Sequence, residues 1–243
     1  MIDTRDAQHL LQEKYNGVTS PEFEKDLERL EQGEPLAYII GNIPFCKTTI
    51  YLDSKPLIPR VESEFWLEQA LKEADGAPKK VLDIFAGSGA LGIAWANARP
   101  QDSITFAELD GSHLTTIAKN VKENNISNNV TYIESDVFKN VEGAFDIILA
   151  NPPYVPSDRD LPKGVIAFEP LIALFAGADG LIFIRTLIAE LSEHLLPGGK
   201  LYLEHDSIQS DEILELFPSS FTATSRKDQY GVSRYTMAHY MHD

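Results

Sequence analysis

Between residues 81 and 204 the sequence alternates short apolar runs with amphipathic stretches, and this alternation restricts the fold more than any other feature of the chain. The apolar runs predict strands at 81–86, 104–109, 130–134, 145–150 and 200–204. Helical patterns lie between them, at 91–98, 112–124 and 180–195, with another at 211–216. Two alternating runs near the end, 221–225 and 233–239, predict an antiparallel closing pair. Strands and helices that alternate in this way favour a doubly wound, mostly parallel α/β sheet.

One of these strands ends in an Asn-Pro-Pro-Tyr turn, within the stretch 145–154. The run 147–150 is continuously apolar, as expected of a central parallel strand that is covered on both faces. Pro152 and Pro153 have no N–H to donate to a ladder, so the strand must end there. Because a residue before proline is held extended, the carboxamide of Asn151 is expected to be fixed at the C-terminal edge of the sheet, where open α/β sheets bind ligands.

Composition restricts the possible partners and compartments. The formal charge of −16 and the lack of any Lys or Arg cluster argue against stable binding to nucleic acid. Cys46 is the single cysteine, which excludes an intrachain disulfide and fits a reducing cytosol. The first residues are polar, so no signal peptide is expected, and no uncharged apolar run approaches the ~18 residues of a membrane span. No metal site is expected, because metal-ligand spacing is lacking among the six histidines, which are His9, His113, His194, His205, His239 and His242.

The first part of the chain predicts a small appendage to the main domain. Two short helices are expected, one over residues 3–15 and one that starts at Pro21 behind Ser20 as its N-cap. Residues 43–51 contain two β-prone runs that predict a hairpin, and a further helix is expected over 62–74. We therefore expect a short helical domain over 1–32, a linker with a hairpin over 33–60 and the main domain over 61–243.

A glycine-rich loop follows the first strand of the main domain. Gly87, Gly89 and Gly92 match the G-x-G-x-x-G pattern of dinucleotide sites, and Glu108 ends the next strand, where an acid binds ribose hydroxyls. Asp83, however, lies just before the loop, and a carboxylate about 4 Å from a pyrophosphate would be repelled by several kcal/mol. S-adenosylmethionine (SAM) carries a sulfonium and an amino group and no phosphate, so the carboxylate favours SAM over NAD.

A third acid strengthens that interpretation. Asp136 follows the strand at 130–134, where it is placed to accept a hydrogen bond from an adenine amino group. Acids thus accompany three successive strands at one edge of the sheet, and the combination favours SAM. The predicted cofactor site consists of Asp83, Phe85, Gly87, Gly89, Glu108, Asp136, Val137 and Asn151.

Several segments together resemble a known family. Residues 33–41 (GEPLAYIIG), 57–64 (LIPRVESE) and 151–155 (NPPYV), with the glycine loop, are similar to the release-factor glutamine methyltransferases, the PrmC or HemK family. The turn alone is shared with DNA adenine methyltransferases, whereas the first two segments are far more specific. The resemblance covers roughly residues 33–240 and extends to 168–170, 179–181, Glu204 with Gln209, and 231–234.

This resemblance implies a fold and an activity. The fold is the Rossmann-like SAM methyltransferase fold with a seven-stranded sheet, an N-terminal helical domain and a β-hairpin linker. The activity is transfer of a methyl group from SAM to the side-chain amide nitrogen (N5) of glutamine in the Gly-Gly-Gln motif of class 1 peptide release factors, with S-adenosylhomocysteine as the other product. A cytoplasmic monomer with a release factor as its protein substrate is expected.

The resemblance also assigns roles to residues. The side-chain oxygen of Asn151 and the carbonyl of Pro152 would hold the target nitrogen in line with the S–CH₃ bond, so that positioning is the main source of acceleration. Tyr154 would pack on the target side chain or face the methyl cation. The predicted substrate-binding residues are Asn151, Pro152, Pro153, Tyr154, Arg60 and Glu169. For the last two, a structural salt bridge near the linker is an equally good interpretation.

The chain departs from the family pattern at four places. The part before Gly33 is shorter than usual, Val61 replaces a proline, Phe85 replaces the first loop glycine and Glu108 replaces an aspartate. None of these changes removes a group that the chemistry needs. Three alternatives stay open: an adenine N6 methyltransferase acting on DNA or RNA, methylation of another protein glutamine such as one in a ribosomal protein, and a SAM-binding interaction module without catalysis.

Overall fold

The computed structural model describes residues 4–241, within which it has nine helices, nine strands and two short 3₁₀ turns. The helices are α1 (Thr4–Glu13), α2 (Pro21–Glu31), α3 (Leu36–Ile40), α4 (Val61–Glu73), α5 (Ala90–Ala98), α6 (Gly111–Glu123), α7 (Lys163–Phe168), α8 (Ile182–His194) and α9 (Ser210–Leu216). The strands are β1 (Asn42–Phe45), β2 (Thr48–Tyr51), β3 (Lys80–Ile84), β4 (Ser103–Glu108), β5 (Val130–Glu134), β6 (Phe145–Ala150), β7 (Leu195–Glu204), β8 (Phe221–Lys227) and β9 (Ser233–Tyr240). The 3₁₀ turns are Leu171–Ala173 and Ser207–Gln209. Residue 3, at the start of the first predicted helix, and His242 lie outside the described residues.

Seven strands form one sheet in the order β5-β4-β3-β6-β7-β9-β8. The strands from β5 to β7 are parallel, and β9 is antiparallel to both of its neighbours. The chain builds outward from β3 to β5 and then returns to the other side of β3 with β6. The carboxyl ends of β3 and β6 therefore flank the topological switch point, where open α/β sheets bind ligands. The predicted doubly wound, seven-stranded, mostly parallel sheet is confirmed.

The apolar character of the central strands follows from burial on both faces. In β6, Ile147 and Leu149 pack in one apolar cluster with helices α4 and α5, whereas Ile148 and Ala150 pack in a second cluster with α8 and α9. Successive side chains of a strand point to opposite faces, so a strand covered on both sides carries apolar residues at successive positions.

Helices α1 to α3 form a small layer of their own, here called the N-terminal module (residues 4–40). Its apolar cluster is built on the buried side chains of Leu10, Phe23 and Ile39. As predicted, Ser20 caps α2, and its side chain accepts a hydrogen bond of 3.2 Å from the Phe23 N–H. Helix α3 was not predicted, because five residues are too few to show a period. The predicted domain boundaries stay predictions.

The predicted hairpin is present as β1 and β2, and it lies on the main domain. The Asn120 side chain on α6 accepts from the Tyr51 N–H at 2.7 Å and donates to the carbonyls of Tyr51 and Ser88 at 3.0 and 2.9 Å. One amide thus ties the hairpin both to α6 and to the glycine loop.

The start of β7 differs from the prediction. The sequence predicts that Pro197, Gly198 and Gly199 separate a helix from a strand, but β7 already begins at Leu195, which pairs with Phe145 of β6. The register resumes at Lys200 opposite Ile147, so the residues between Leu195 and Lys200 bulge from the ladder.

Candidate active site

A cavity of about 410 Å³ opens at the carboxyl ends of β3 to β6, within the size range of small-molecule sites. Its walls combine apolar side chains with acids. The apolar part includes Leu57, Phe85, Leu109, Val137, Ile172 and Phe183, and the acids are Glu108, Asp110, Glu134 and Asp136. Of the predicted cofactor residues, those that line the cavity are Phe85, Gly87, Glu108, Asp136, Val137 and Asn151.

The backbone of the glycine loop holds Glu108 at the cavity wall. One carboxylate oxygen accepts from the Gly87 N–H at 2.7 Å and the other accepts from the Asp110 N–H at 3.0 Å. Asp136 is exposed at the end of β5 and lines the same cavity. The two acids therefore stand where sequence reasoning expects ribose and adenine acceptors.

Asp83 lies behind the loop and does not line the cavity. The residue is fully buried, and its Oδ2 accepts a hydrogen bond of 2.8 Å from the Gly92 N–H, while Oδ1 has no hydrogen-bond partner within residues 4–241. Burial raises the pKa of this carboxyl well above its usual value, and the nearby Glu108 adds to the rise. A Cβ at Gly92 would lie 2.4 Å from the Phe106 ring, so only glycine allows α5 to pack this closely on the sheet. Cofactor binding by Asp83 and by Gly89 stays a prediction.

Two non-glycine residues of the cavity wall have left-handed backbones. Phe85 has φ of 60° and Val137 has φ of 50°, a conformation that costs an L-residue roughly 1–2 kcal/mol and is rare for a β-branched one. The Phe85 ring packs edge to face on Phe183, with ring centroids 6.0 Å apart. Position 85 is where the resemblance places a glycine, and the backbone there has a conformation that glycine adopts freely. Strain of this kind is concentrated at ligand sites.

A second cavity of about 230 Å³ meets the first at Asn151. Asn151 lines both, Pro153 lines the larger cavity, and Pro152 and Tyr154 line the smaller one together with Arg60. Leu57 and Ala173 also line both cavities, so the two spaces adjoin at the start of the Asn-Pro-Pro-Tyr turn, as a transfer between two bound molecules requires.

The carboxamide of Asn151 belongs to a buried polar network. Its Nδ2 donates to Ser63 Oγ at 3.3 Å, and Ser63 Oγ donates to Glu204 Oε2 at 2.5 Å. Glu204 also accepts from Trp66 Nε1 at 2.7 Å and from the Tyr154 hydroxyl at 3.3 Å. Burial raises the pKa of Glu204, and these three hydrogen bonds oppose the rise. Burial likewise raises the pKa of the Tyr154 hydroxyl, with a further contribution from the negative charge of Glu204.

Two groups near the reacting face accept no hydrogen bond from the part of the chain that the structure describes. They are the Asn151 side-chain oxygen and the Pro152 carbonyl oxygen. Both are therefore available to an N–H donor that enters the smaller cavity.

Arg60 and Glu169 form an ion pair with a distance of 2.7 Å, and Glu169 is buried. The same carboxylate accepts from the Ile58 N–H at 3.1 Å, so it holds the linker against the segment after α7. The geometry is compatible with both interpretations of this pair, because the salt bridge is present and Arg60 also lines the smaller cavity. Peptide binding by the pair stays a prediction.

The side chain of Gln209 holds the end of the Asn-Pro-Pro-Tyr turn by hydrogen bonding. Its side-chain nitrogen donates to the carbonyls of Tyr154 and Asp179, at 2.9 Å each. A Cβ at Gly180 would lie 2.2 Å from the Tyr154 carbonyl oxygen, so glycine is required there. The segments that carry the resemblance downstream of the turn therefore hold Tyr154 in place.

Sequence reasoning missed several residues of the site. Ser63 and Trp66 lie three residues apart on the inner face of α4, and the helical pattern over 62–74 does not indicate that Ser63 joins a polar network. Glu204 was noticed only through the resemblance. His113 and Leu57 line the larger cavity, and His113 Nδ1 lies 2.8 Å from Ser54 Oγ, a contact between segments far apart in the chain.

Within residues 4–241 the His, Cys, Asp and Glu side chains form no group of three or more that could hold a metal ion. In the same range no helix has the length and apolar character needed to cross a membrane.

Comparison with known proteins connects the geometry to a family. Residues 62–166 match the family described as the methyltransferase small domain. Release factor glutamine methyltransferase of Lactococcus lactis is 35% identical over 212 residues, which cover 85% of this chain and 78% of that protein. The enzyme of the same description from Streptococcus pneumoniae is 34% identical over 230 residues, 92% of this chain and 82% of that protein.

Solved structures support the fold. A ribosomal protein L11 methylase from Lactobacillus delbrueckii subsp. bulgaricus has a TM-score of 0.57 at 18% identity, over 78% of this chain and 83% of that one. A methyltransferase from Pyrococcus furiosus has a TM-score of 0.55 at 22% identity, over 79% and 87%. At such identities these likenesses show the methyltransferase fold alone. The sequence identity to the bacterial enzymes over most of both chains shows more, and it confirms the resemblance carried by the motifs: this chain belongs to the release factor glutamine methyltransferase family.

Proposed function

We propose that the protein transfers a methyl group from SAM to the side-chain amide nitrogen of the glutamine in the Gly-Gly-Gln motif of a class 1 peptide release factor, in the cytoplasm. The observation that carries the proposal is the position of Asn151 between two cavities, one the size of a nucleoside cofactor and one the size of an amino-acid side chain. The names of the related enzymes support the choice of protein substrate.

The larger cavity suits SAM by its chemistry. Glu108 and Asp136 are acceptors for ribose hydroxyls and for an adenine amino group, and Phe85 and Phe183 offer apolar faces to the base. Four acids line the cavity, so a cationic ligand is favoured and a pyrophosphate is disfavoured. When bound, SAM supplies a methyl group on a positively charged sulfur.

The residues of the turn position the nucleophile. An amide nitrogen is a poor nucleophile, because its lone pair is delocalised. The free acceptors on Asn151 and Pro152 bind the two N–H groups of the target and direct its nitrogen toward the larger cavity. The same two oxygens favour the positive charge that develops on the nitrogen during transfer. Methyl transfer first gives an N-methylated amide whose nitrogen still carries both protons and a positive charge. This species is acidic enough to lose one proton to water without a dedicated base.

A side-by-side transfer assay tests the proposal. Labelled methyl from SAM is offered to an intact class 1 release factor, to the same factor with its Gly-Gly-Gln glutamine changed to alanine, and to duplex DNA. Label on the first substrate alone is expected. Label on the alanine variant would move the target to another residue, and label on DNA alone would support the adenine N6 alternative. Label on none of the three would refute the release factor as substrate.

A further inference from the structure

The network behind Asn151 has a direction that follows from which groups can donate. The Glu204 carboxylate only accepts hydrogen bonds when ionised, and Trp66 Nε1 only donates. The Ser63 hydroxyl lies 2.5 Å from Glu204, so its proton points to the carboxylate and its lone pairs point away. A lone pair of Ser63 is then the acceptor that faces Asn151 at 3.3 Å, and only the NH₂ end of the carboxamide can satisfy it.

We propose that Glu204 and Ser63 are positioning residues that set the orientation of the Asn151 carboxamide, so that its oxygen, and not its NH₂ group, faces the substrate. The two ends of a carboxamide have nearly the same shape, and packing alone does not choose between them. Hydrogen bonding does choose, since a flipped Asn151 would present its oxygen to a Ser63 whose only proton is already donated. The flipped form would also present N–H groups to the N–H groups of the target.

Burial makes this orientation persistent. Ser63 and Glu204 are 2% and 1% exposed, and Trp66 is fully buried, so water does not compete for these hydrogen bonds. The charged group that acts on Glu204 from the neighbouring strand is Arg234 on β9, and the titratable Tyr154 donates to it from the turn. Keeping a carboxylate in such a place is costly for folding, and the orientation of Asn151 is the function that this cost serves.

A second hydrogen bond between the same two elements provides a matched control. Tyr202 on β7 donates from its hydroxyl to Glu73 on α4 at 3.0 Å. Like the Ser63–Glu204 hydrogen bond, it joins a hydroxyl to a carboxylate across the α4–β7 contact, but Asn151 has no part in it. Tyr202→Phe therefore removes a comparable structural bond and leaves the carboxamide alone.

The first test measures kcat and KM for Ser63→Ala, Glu204→Gln, the double variant and Tyr202→Phe. This arm rests on the proposed function, because it uses a release factor as substrate. We expect each of the first two to lower kcat roughly 10- to 100-fold with little change in KM for SAM. The double variant should lose no more than the worse single one, since both act through one carboxamide. Ser63→Thr keeps the hydroxyl and should retain more activity than Ser63→Ala. Tyr202→Phe should lower the melting temperature and leave kcat within about twofold.

The second test does not need a substrate. The side-chain NH₂ signals of Asn151 are observed by ¹⁵N–¹H NMR and assigned by their loss in Asn151→Asp. They should shift in Ser63→Ala and Glu204→Gln and stay in place in Tyr202→Phe. Unchanged NMR signals in the first two, or an equal loss of kcat in Tyr202→Phe, would overturn the inference. If the wild-type protein is inactive on the release factor, the proposed function fails, while the NMR arm still decides the inference.

Discussion

Buried carboxylates have different hydrogen-bond partners in the N-terminal module and at the carboxyl ends of β3, β4, β6 and β7, here called the cavity edge. In the module, Asp26 is buried and lies 2.6 Å from both Lys14 and Arg29, and it accepts a hydrogen bond of 2.7 Å from the Tyr15 hydroxyl. Glu34 is buried as well and is paired with Arg29 at 2.8 Å. Each carboxylate of this region that is taken from water thus has a cationic partner.

At the cavity edge, Glu204 and Asp83 form no ion pair within residues 4–241, unlike Glu169, which is paired with Arg60 beside the smaller cavity. Glu204 accepts hydrogen bonds from neutral donors, and Asp83 accepts one from a backbone N–H, while its other oxygen has no partner among the described residues. The pKa directions follow. Burial raises the pKa of both Asp83 and Glu204, whereas hydrogen bonds from Arg29 and Lys55 lower that of Glu34. A buried charge without an ionic partner reduces stability, and perturbed acids of this kind are concentrated at functional sites, whereas removing one partner of a buried ion pair is destabilising. Substitutions at the cavity edge should therefore reduce activity, and substitutions in the module should reduce stability.

The largest effect should come from Asn151→Ala. The variant loses an acceptor that acts only on the amide nitrogen that receives the methyl group. The value of kcat should therefore fall about 10²- to 10³-fold, while SAM affinity stays nearly unchanged. Turnover assays and calorimetric titration with SAM measure the two quantities. Asn128→Ala is the matched control: Asn128 donates to the carbonyls of Arg99 and Asp102, away from the cavity, so its loss should lower stability and spare kcat. Equal loss of SAM binding and turnover in Asn151→Ala would contradict its proposed role.

Glu108→Ala should produce the next largest effect, and this effect should be on SAM affinity and not on kcat. It removes a charged acceptor from the cavity wall and frees the Gly87 and Asp110 N–H groups that it holds, so SAM affinity should fall by about 100-fold. Calorimetry provides the dissociation constant, and kcat at saturating SAM should change much less. Glu108→Asp, which introduces the residue that the resemblance places here, keeps the charge and shortens the side chain by one methylene. Its SAM affinity should lie between those of the wild type and the alanine variant. An unaltered affinity in Glu108→Ala would remove this acid from the cofactor site.

In both regions the sequence predicted local features but not the contacts between distant segments. The strand alternation, the capped helix behind Ser20 and the positions of Glu108 and Asp136 follow from local patterns, and the structure agrees with them. The Ser63–Glu204–Asn151 network joins residues up to 141 positions apart, and no local period indicates such a contact. A buried, unpaired acid at a strand end looks in sequence like any exposed loop acid. Burial and partners come only with the tertiary structure.

Asp26→Ala should lower the stability of the N-terminal module instead. It leaves Lys14 and Arg29 without the carboxylate that they share, which should reduce the free energy of unfolding by about 2 kcal/mol, a value lowered because both cations are partly exposed. Denaturant unfolding measures this change, and kcat should stay within about twofold. Asp53→Ala is the control: its pair with Lys119 joins side chains that are 50% and 37% exposed, so the loss should be below about 1 kcal/mol. A large fall in kcat in Asp26→Ala would mean that the module contributes to catalysis.

Acid titration compares the two regions in one experiment, with the smallest effect. The pKa of Asp26 and of Glu34 is lowered in the folded protein, for Asp26 because its hydrogen bonds outweigh burial, so their stabilisation is present above the unfolded pKa of about 4 and is lost as pH falls through the folded values. For Glu204 and Asp83 the folded pKa is raised, so ionisation destabilises the folded state above about pH 4, and this cost disappears as pH falls through the raised values.

Hydrogen exchange, corrected for the intrinsic pH dependence, should therefore show the module protected down to about pH 4 and open below it. Strands β3 and β7 should gain protection as pH falls through the raised pKa values of Asp83 and Glu204. A module that loses protection over that same range would mean that compensation by cations is not what separates the two regions.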